Sequence, residues 1–423
     1  MDILRVPDEI VCIVARLIPD QVSLWNTEIV TTQKSHTSVF AELAAPDNSV
    51  SWIEDIDDDE FDIHKRNPTE LTAPPREPDR AILNDDDVPL EMNFISQRKE
   101  YTVDEMATFS FMDFAGRGIT VYVHDTGIDL EDPEFTEPID FIARGTYRWV
   151  SPKASEITGL LGRQIPYVRD DRSGHGTCVA SKIVGKHWGV AKAANLVVVP
   201  TIEPYRFEYI LAGLQGIFDD IHKQRKKGPF FPVVNFSYAL PEETTPAQIR
   251  LCRAFVKKLV EYNAVIVVSA GNYRTKEGER ELVDHYPALF AREFSQNMIV
   301  VGSVDVYGKP DWASQRGPLV DIWAPGQENA THGINCAGAA KMARQQEEED
   351  PELGPLPDRA AGTSFAAPQV SGIVAYLYSV YPKYRIDGGA PKVLAKLREL
   401  MFKRNRRGPP CLWNGVSGKV MCN

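Results

Sequence analysis

The stretch RAAGTSFAAPQVSGIVAYL, residues 359–377, sets a Thr-Ser pair between a glycine and an apolar run. Val370, Ile373, Val374 and Leu377 in that run repeat at the spacing of one helix face. A serine in this position can cap the helix by accepting a bond from an unpaired amide. It can also react, if a base reaches its hydroxyl and a third group orients the base. Taken alone, Ser364 reads as the cap. Three further residues carry complementary chemistry. VYVHDTGID ends a strand-like run in Asp125, with Gly127 permitting a tight exit. DRSGHGTCVASKIVG holds His175 between two glycines, and Val179, Ile183 and Val184 follow at helical spacing. Those glycines remove side-chain bulk and leave an imidazole open at a helix start. VIVVSAGNYR closes another strand-like run, and Asn272 follows Gly271 where its amide can project.

Each position has a bland counterpart: a turn aspartate, a structural histidine, a turn asparagine. A hydrophobic strand leading into Asp-Thr-Gly also suits an aspartic protease. That mechanism needs a second Asp-Thr-Gly or Asp-Ser-Gly to share a proton, and the chain has no second copy. Asp125, His175 and Ser364 in that order, with an amide from Asn272, instead compose an orienter, a base, a nucleophile and an oxyanion donor.

The elements that must position these residues alternate along the chain. Strands are expected at 119–124, 195–200, 232–238, 264–269 and 298–303. Between them, Ile210, Leu214, Ile217, Phe218 and Ile221 share a helix face near 206–223. Pro246 after Thr245 opens another helix, with Ile249, Cys252, Val256, Leu259 and Val260 as its stripe. Alternation of this kind predicts an α/β fold with a mostly parallel, doubly wound sheet and helices on both faces. Its ligand site is expected beyond the carboxyl ends of the strands.

The chain has 423 residues, 43% of them hydrophobic, enough for one large domain and a small addition. Its net charge of -12 is concentrated at the start: residues 1–100 hold 22 acidic and 9 basic residues, or -13, which leaves +1 for the remainder. EDIDDDE and NDDD beside TAPPREPDR read as an acidic, proline-rich linker over 71–100. No apolar run reaches the length of a transmembrane helix. Asp2, Asp8 and Glu9 precede the short apolar stretch near the start, where a secretion signal carries positive charge. The six cysteines form no disulfide framework and no metal-ligand spacing. Cys411 and Cys422 flank an Asn-Gly turn and suit either a bridge or two free thiols. The basic KRNRR at 403–407 stands alone after an expected helix, so nucleic acid is disfavoured as a partner.

With these motifs in order, the chain resembles the subtilisin-like serine peptidases of the subtilase family over roughly residues 101–400. WGVAKAANLVVV, VVNFSYAL, DWASQRGPLVDIWAPG and AGTSFAAPQVSGIVAYL carry the likeness together with the segments around Asp125, His175 and Asn272. The resemblance implies a serine endopeptidase acting through an acyl-enzyme. Asp125, His175 and Ser364 would be its triad, and the Asn272 side chain and Ser364 N–H its oxyanion donors. Ser237, Tyr238 and Ala239 on one side, and Ser269, Ala270 and Gly271 on the other, would bind the substrate. It further implies a domain spanning 101–423 and a prosegment-like region over 1–70, with SVFAELAAPDNSVSWIED at its end, short for an intact prosegment. The partners would be protein or peptide substrates and the prosegment itself as an intramolecular inhibitor, with no membrane, on a monomer. Family members are secreted or vacuolar, whereas the sequence leans intracellular. Calcium is common among subtilases, yet no ligand set carries over residue by residue, and no metal site is assigned.

Departures from the family pattern generate further expectations. Ala239 stands where glycine is frequent and is expected to narrow the pocket. Cys178 stands where a second histidine is frequent, and is expected to lie beneath the catalytic ring as a thiol sensitive to mercurials. Residues 327–361, with QQEEEDPELGPLP, are expected to form a mobile acidic loop near the nucleophile. Against an active enzyme stands a non-catalytic binding protein that keeps the fold; the intact set of four residues favours the enzyme.

Overall fold

A computed structural model describes residues 81–139, 142–150, 171–201, 207–275, 278–342, 344, 360–386, 388–419 and 421. The prosegment-like region, the QQEEEDPELGPLP part of the acidic loop and Cys422 lie outside the described residues. A first strand β1 (Ile82–Asp85) and a short helix α1 (Leu90–Ile95) lead to β2 (Phe109–Met112), which pairs antiparallel with β1. The sheet that follows is built from β3 (Thr120–Asp125), β4 (Tyr147–Trp149), β5 (Asn195–Pro200), β6 (Pro232–Phe236), β7 (Val265–Ser269), β8 (Met298–Val304), β9 (Ile322–Pro325), β10 (Phe402–Lys403) and β11 (Pro410–Cys411). Its order is β10-β11-β9-β8-β7-β6-β3-β5-β4, and only the β10–β11 pair is antiparallel. The five strands expected from sequence coincide with β3, β5, β6, β7 and β8 to within two residues.

The crossovers are α2 (His175–Val184), α3 (Phe207–Arg225), α4 (Pro246–Glu261), α5 (Thr363–Val380) and α6 (Gly389–Leu400). Thr245 caps α4 in a reciprocal capping box with Gln248, and Pro246 occupies its first turn. Successive residues of β3 point to opposite faces of the sheet. Val121 and Val123 join the core cluster that holds the apolar faces of α2 and α5. Tyr122 and His124 point the other way, and Tyr122 Oη donates to Asp220 of α3 at 2.5 Å. The sheet is therefore covered on both faces, which is why its central strands are buried throughout and mostly apolar. No helix among the described residues is long and apolar enough to cross a membrane.

Residues 82–100, expected within an acidic linker, instead form β1 and α1. Met92, Phe94 and Ile95 are fully buried, and the nearby carboxylates find cations far along the chain. Glu91 meets Lys182 of α2 with Nζ to Oε1 at 3.3 Å, both side chains without exposure. Asp85 meets Lys192 at 3.3 Å, where the lysine is again fully buried. Burial holds both ammonium groups below the ordinary lysine range, opposed by the facing carboxylates. The acidity that suggests a solvated linker is thus partly neutralised inside the fold.

Removing one member of a buried pair leaves the other uncompensated, whereas replacing both with apolar groups of similar volume is often neutral. Lys182→Met should therefore lower unfolding stability by about 3 kcal/mol, and the double change Lys182→Met with Glu91→Leu should restore only part of the loss, because Glu91 also accepts the Asn335 N–H at 2.9 Å and Lys182 also donates to the Asn335 carbonyl at 2.8 Å. Urea denaturation of the three proteins checks this.

Candidate active site

Two strand ends and two helix starts meet beyond the carboxyl edge of the sheet. Asp125 closes β3 and is 1% exposed, while His175 opens α2 with 24% of its side chain exposed. Asp125 Oδ1 lies 2.7 Å from His175 Nδ1 and also accepts the Thr126 N–H at 2.8 Å. An ionised carboxylate can only accept, so Nδ1 carries the proton and Nε2 of the neutral ring keeps its lone pair. The ring of Phe365, next to Ser364, packs on this imidazole with centroids 5.1 Å apart.

Ser364 is the second residue of α5, whose N-cap is Gly362 at φ 126°. The helix begins two residues earlier than the cap reading of Ser364 requires. Gly362 suits that conformation and also the space, because a Cβ there would lie 2.7 Å from Asn272 Nδ2. The Ser364 hydroxyl donates to the Ser237 carbonyl at 3.0 Å, and the Ser237 hydroxyl donates back to the Ser364 carbonyl at 2.8 Å. Asn272 accepts with Oδ1 from both the N–H and the hydroxyl of Thr363, each at 2.9 Å. Its Nδ2 is left as the donor beside the first turn of α5.

The glycines around His175 serve a purpose different from the expected one. Gly174 takes the left-handed conformation, with φ 84°, and a Cβ on Gly176 would strike the Gly127 carbonyl at 2.1 Å. Gly176 permits the close approach of the Asp125 turn to α2, which then delivers the imidazole to the carboxylate, and Gly174 leaves room for the Gly338 carbonyl.

Asp171, missed at the sequence level, holds that approach together. It is fully buried. Its Oδ1 accepts from Thr126 Oγ1 at 2.8 Å and the Gly174 N–H at 2.9 Å, and its Oδ2 from the N–H and hydroxyl of Thr177 at 2.7 and 2.6 Å. An aspartate four residues before the histidine was the available signal. Asn235 of β6 is a second such residue: Nδ2 donates to Ser237 Oγ and Oδ1 accepts from Ser371 of α5, both at 2.9 Å.

Among the expected substrate walls, Ser237, Ser269 and Ala270 are buried and Ala239 is half-buried. The Ala270 carbonyl accepts from His285 Nε2 at 2.9 Å, and the Gly271 carbonyl accepts the Gln315 N–H at 2.9 Å. Tyr238 turns its hydroxyl inward to His124 Nδ1, at 2.7 Å. Cys178 is not the free thiol expected beneath the ring. It is bonded to Cys336, with the Cα atoms 4.9 Å apart, because its helix face meets the segment after Ile334. Cys411 is a buried free thiol, pushed up to about 12 by burial. Among the described residues no group of three or more His, Cys, Asp or Glu could hold a metal ion, and no calcium ligands are assigned there.

His124 is fully buried, and desolvation drives it down from 6.5 to about 3. A lowered folded value means that the unfolded chain binds more protons between these limits, so acidification from pH 6.5 towards 3 removes stability. Relative to wild type, His124→Leu should lose stability less steeply across that window. Thermal unfolding of both proteins at a series of pH values reads the difference in slope.

The wider comparisons agree with this geometry. A model described as "Subtilase family" matches residues 116–401. Subtilisin-like protease 2 of Arthroderma benhamiae is 31% identical over 281 residues, covering 65% of this chain and 54% of that protein. Subtilisin-like protease 2 of Trichophyton rubrum is 30% identical over 281 residues, covering 65% and 53%. The chain thus spans about half the length of the curated relatives it matches. A crystal structure of a cold-adapted subtilisin-like serine proteinase shares the fold, with TM-score 0.53 over 78% of this chain and 98% of that one at 20% identity. With the family match spanning more than half of its length and the parallel nine-stranded sheet beneath it, the chain belongs to the subtilase family.

Proposed function

We propose that this protein is a serine endopeptidase that hydrolyses peptide bonds through an acyl-enzyme. The observation that carries this reading is the 2.7 Å bond between Asp125 Oδ1 and His175 Nδ1, with Phe365, the neighbour of Ser364, packed against the same imidazole. In this mechanism His175 removes the Ser364 proton, now directed at the Ser237 carbonyl, as Oγ attacks the scissile carbon. The proton then passes to the leaving amine, and water repeats the sequence to release the acyl group. Asp125 stays ionised and stabilises the imidazolium.

The developing oxyanion is met by Asn272 Nδ2 and the Ser364 N–H. Two features support these donors: the Oδ1 of Asn272 is held by Thr363, and Ser364 lies in the first turn of an 18-residue helix. The unpaired amides and dipole of such a terminus favour negative charge. Substrates are proteins or peptides, seated between 237–239 and 269–271 with their backbone added as a strand. We further assign 101–423 to the peptidase domain, joined by the strand and helix at 82–95, and 1–70 to a prosegment that inhibits in cis on a monomer.

A fluorophosphonate probe tests the reading. Wild type should label stoichiometrically at Ser364, and Ser364→Ala should not label or cleave peptides. Absence of labelling in a folded, prosegment-free protein would overturn it in favour of a non-catalytic relative. Asn272→Ala should label slowly and lower kcat by about 10² to 10³, the range known for this donor in subtilisin.

A further inference from the structure

We propose that His124 is a positioning residue for the substrate wall, acting through its hydrogen bond to Tyr238. The inference rests on the peptidase reading and adds a residue that neither the triad nor the oxyanion donors require.

His124 precedes Asp125 on β3 but faces the opposite side of the sheet, where it has no exposure. Its ring is confined on three sides. Phe236 meets it edge-on with centroids 5.8 Å apart, and Tyr238 does so at 5.3 Å. On the third side, a Cβ at position 213 would lie 2.0 Å from His124 Nε2. Glycine at 213 lets α3 approach this closely, and the approach leaves the ring no room to turn away from Tyr238. Nε2 itself has no hydrogen-bond partner among the described residues. The bond from Nδ1 to Tyr238 Oη, at 2.7 Å, is thus the polar contact that this buried ring makes with the wall.

Tyr238 is the middle residue of that wall. On one side of it, Ser237 exchanges hydrogen bonds with Ser364; on the other, half-buried Ala239 forms the lip. A tyrosine held by its hydroxyl fixes the backbone between these two neighbours. The bond therefore couples the strand bearing Asp125 to the surface against which a substrate strand lies. Its loss should leave the reacting groups in place and let the wall shift, which weakens substrate binding and changes which side chains fit.

The test uses the full chain and a panel of peptides that differ only in the residue before the scissile bond. kcat and KM are measured separately for wild type, Tyr238→Phe, His124→Leu, the double variant and His124→Gln. Tyr238→Phe removes one oxygen and keeps the ring, so it decides the question even where His124→Leu fails to fold. Either single change should raise KM about three- to tenfold, the equivalent of one modest hydrogen bond, with a smaller change in kcat. Preference across the panel should change with it. The double variant should lose no more than the worse single variant, and His124→Gln, whose amide can meet the phenol, should recover part of the loss. An unchanged panel in Tyr238→Phe, or losses that multiply in the double variant, overturns the proposal while the peptidase reading stands. A wild type that neither labels nor cleaves overturns both.

Discussion

The carboxylate of Asp171 is the constraint around which the site is assembled. It is buried, no cation pairs with its side chain among the described residues, and it accepts hydrogen bonds from Thr126, Ser173, Gly174 and Thr177. Those donors belong to two elements: the turn leaving β3 and the first turn of α2. A buried charge demands such partners, and the demand draws the two elements together. Asp125 and His175, one on each, are then within hydrogen-bond reach with little freedom to separate. Lys341 reinforces the junction from a third direction by pairing with Asp129 at 2.8 Å.

A second network performs the same service for the nucleophile. Ser371 and Ser364 on α5 are tied to Asn235 and Ser237 at the end of β6, so the helix is registered against the sheet at two points a couple of turns apart. Polar groups inside a helix–sheet interface cost desolvation, and here the bonds, two between side chains and two from a serine hydroxyl to a backbone carbonyl, specify position more than they add stability. Two buried lysines follow the same logic: Lys182 and Lys192 register the segment 82–95 on the core by charge while Met92 and Phe94 supply apolar burial.

Much of this was legible in the sequence because it is local. The strands β3, β5, β6, β7 and β8 are short apolar runs, and Asp125, His175, Asn272 and Ser364 stand at strand ends or at helix starts in one-dimensional motifs, whereas β9, only four residues long, was missed. β4 and β10 at the two edges of the sheet, and β11 beside β10, are two or three residues long, too short for a periodicity to register. β1 and α1 were hidden by the charge of Asp85 and Glu91, since a carboxylate reads as solvated until its lysine is found about a hundred positions away. Asp171, Asn235 and His124 were overlooked for a related reason: each is defined by a partner on another element, and nothing in its immediate neighbours announces that partner. The thiol expected at Cys178 failed in the same way.

The bond between Cys178 and Cys336 spans 158 positions and makes a covalent ring of the chain between them. Within that ring lie β5, β6, β7, β8 and β9, with α3 and α4; outside it lie β3 with Asp125 and α5 with Ser364. His175 stands just upstream of the ring's first cysteine. The inner sheet is therefore a closed loop into which two open ends, one from each direction, insert their catalytic candidates. A single backbone cut anywhere between the two cysteines leaves one covalent molecule in which all four site residues remain attached, whereas a cut between Cys336 and Ser364 severs the serine from the rest of the site.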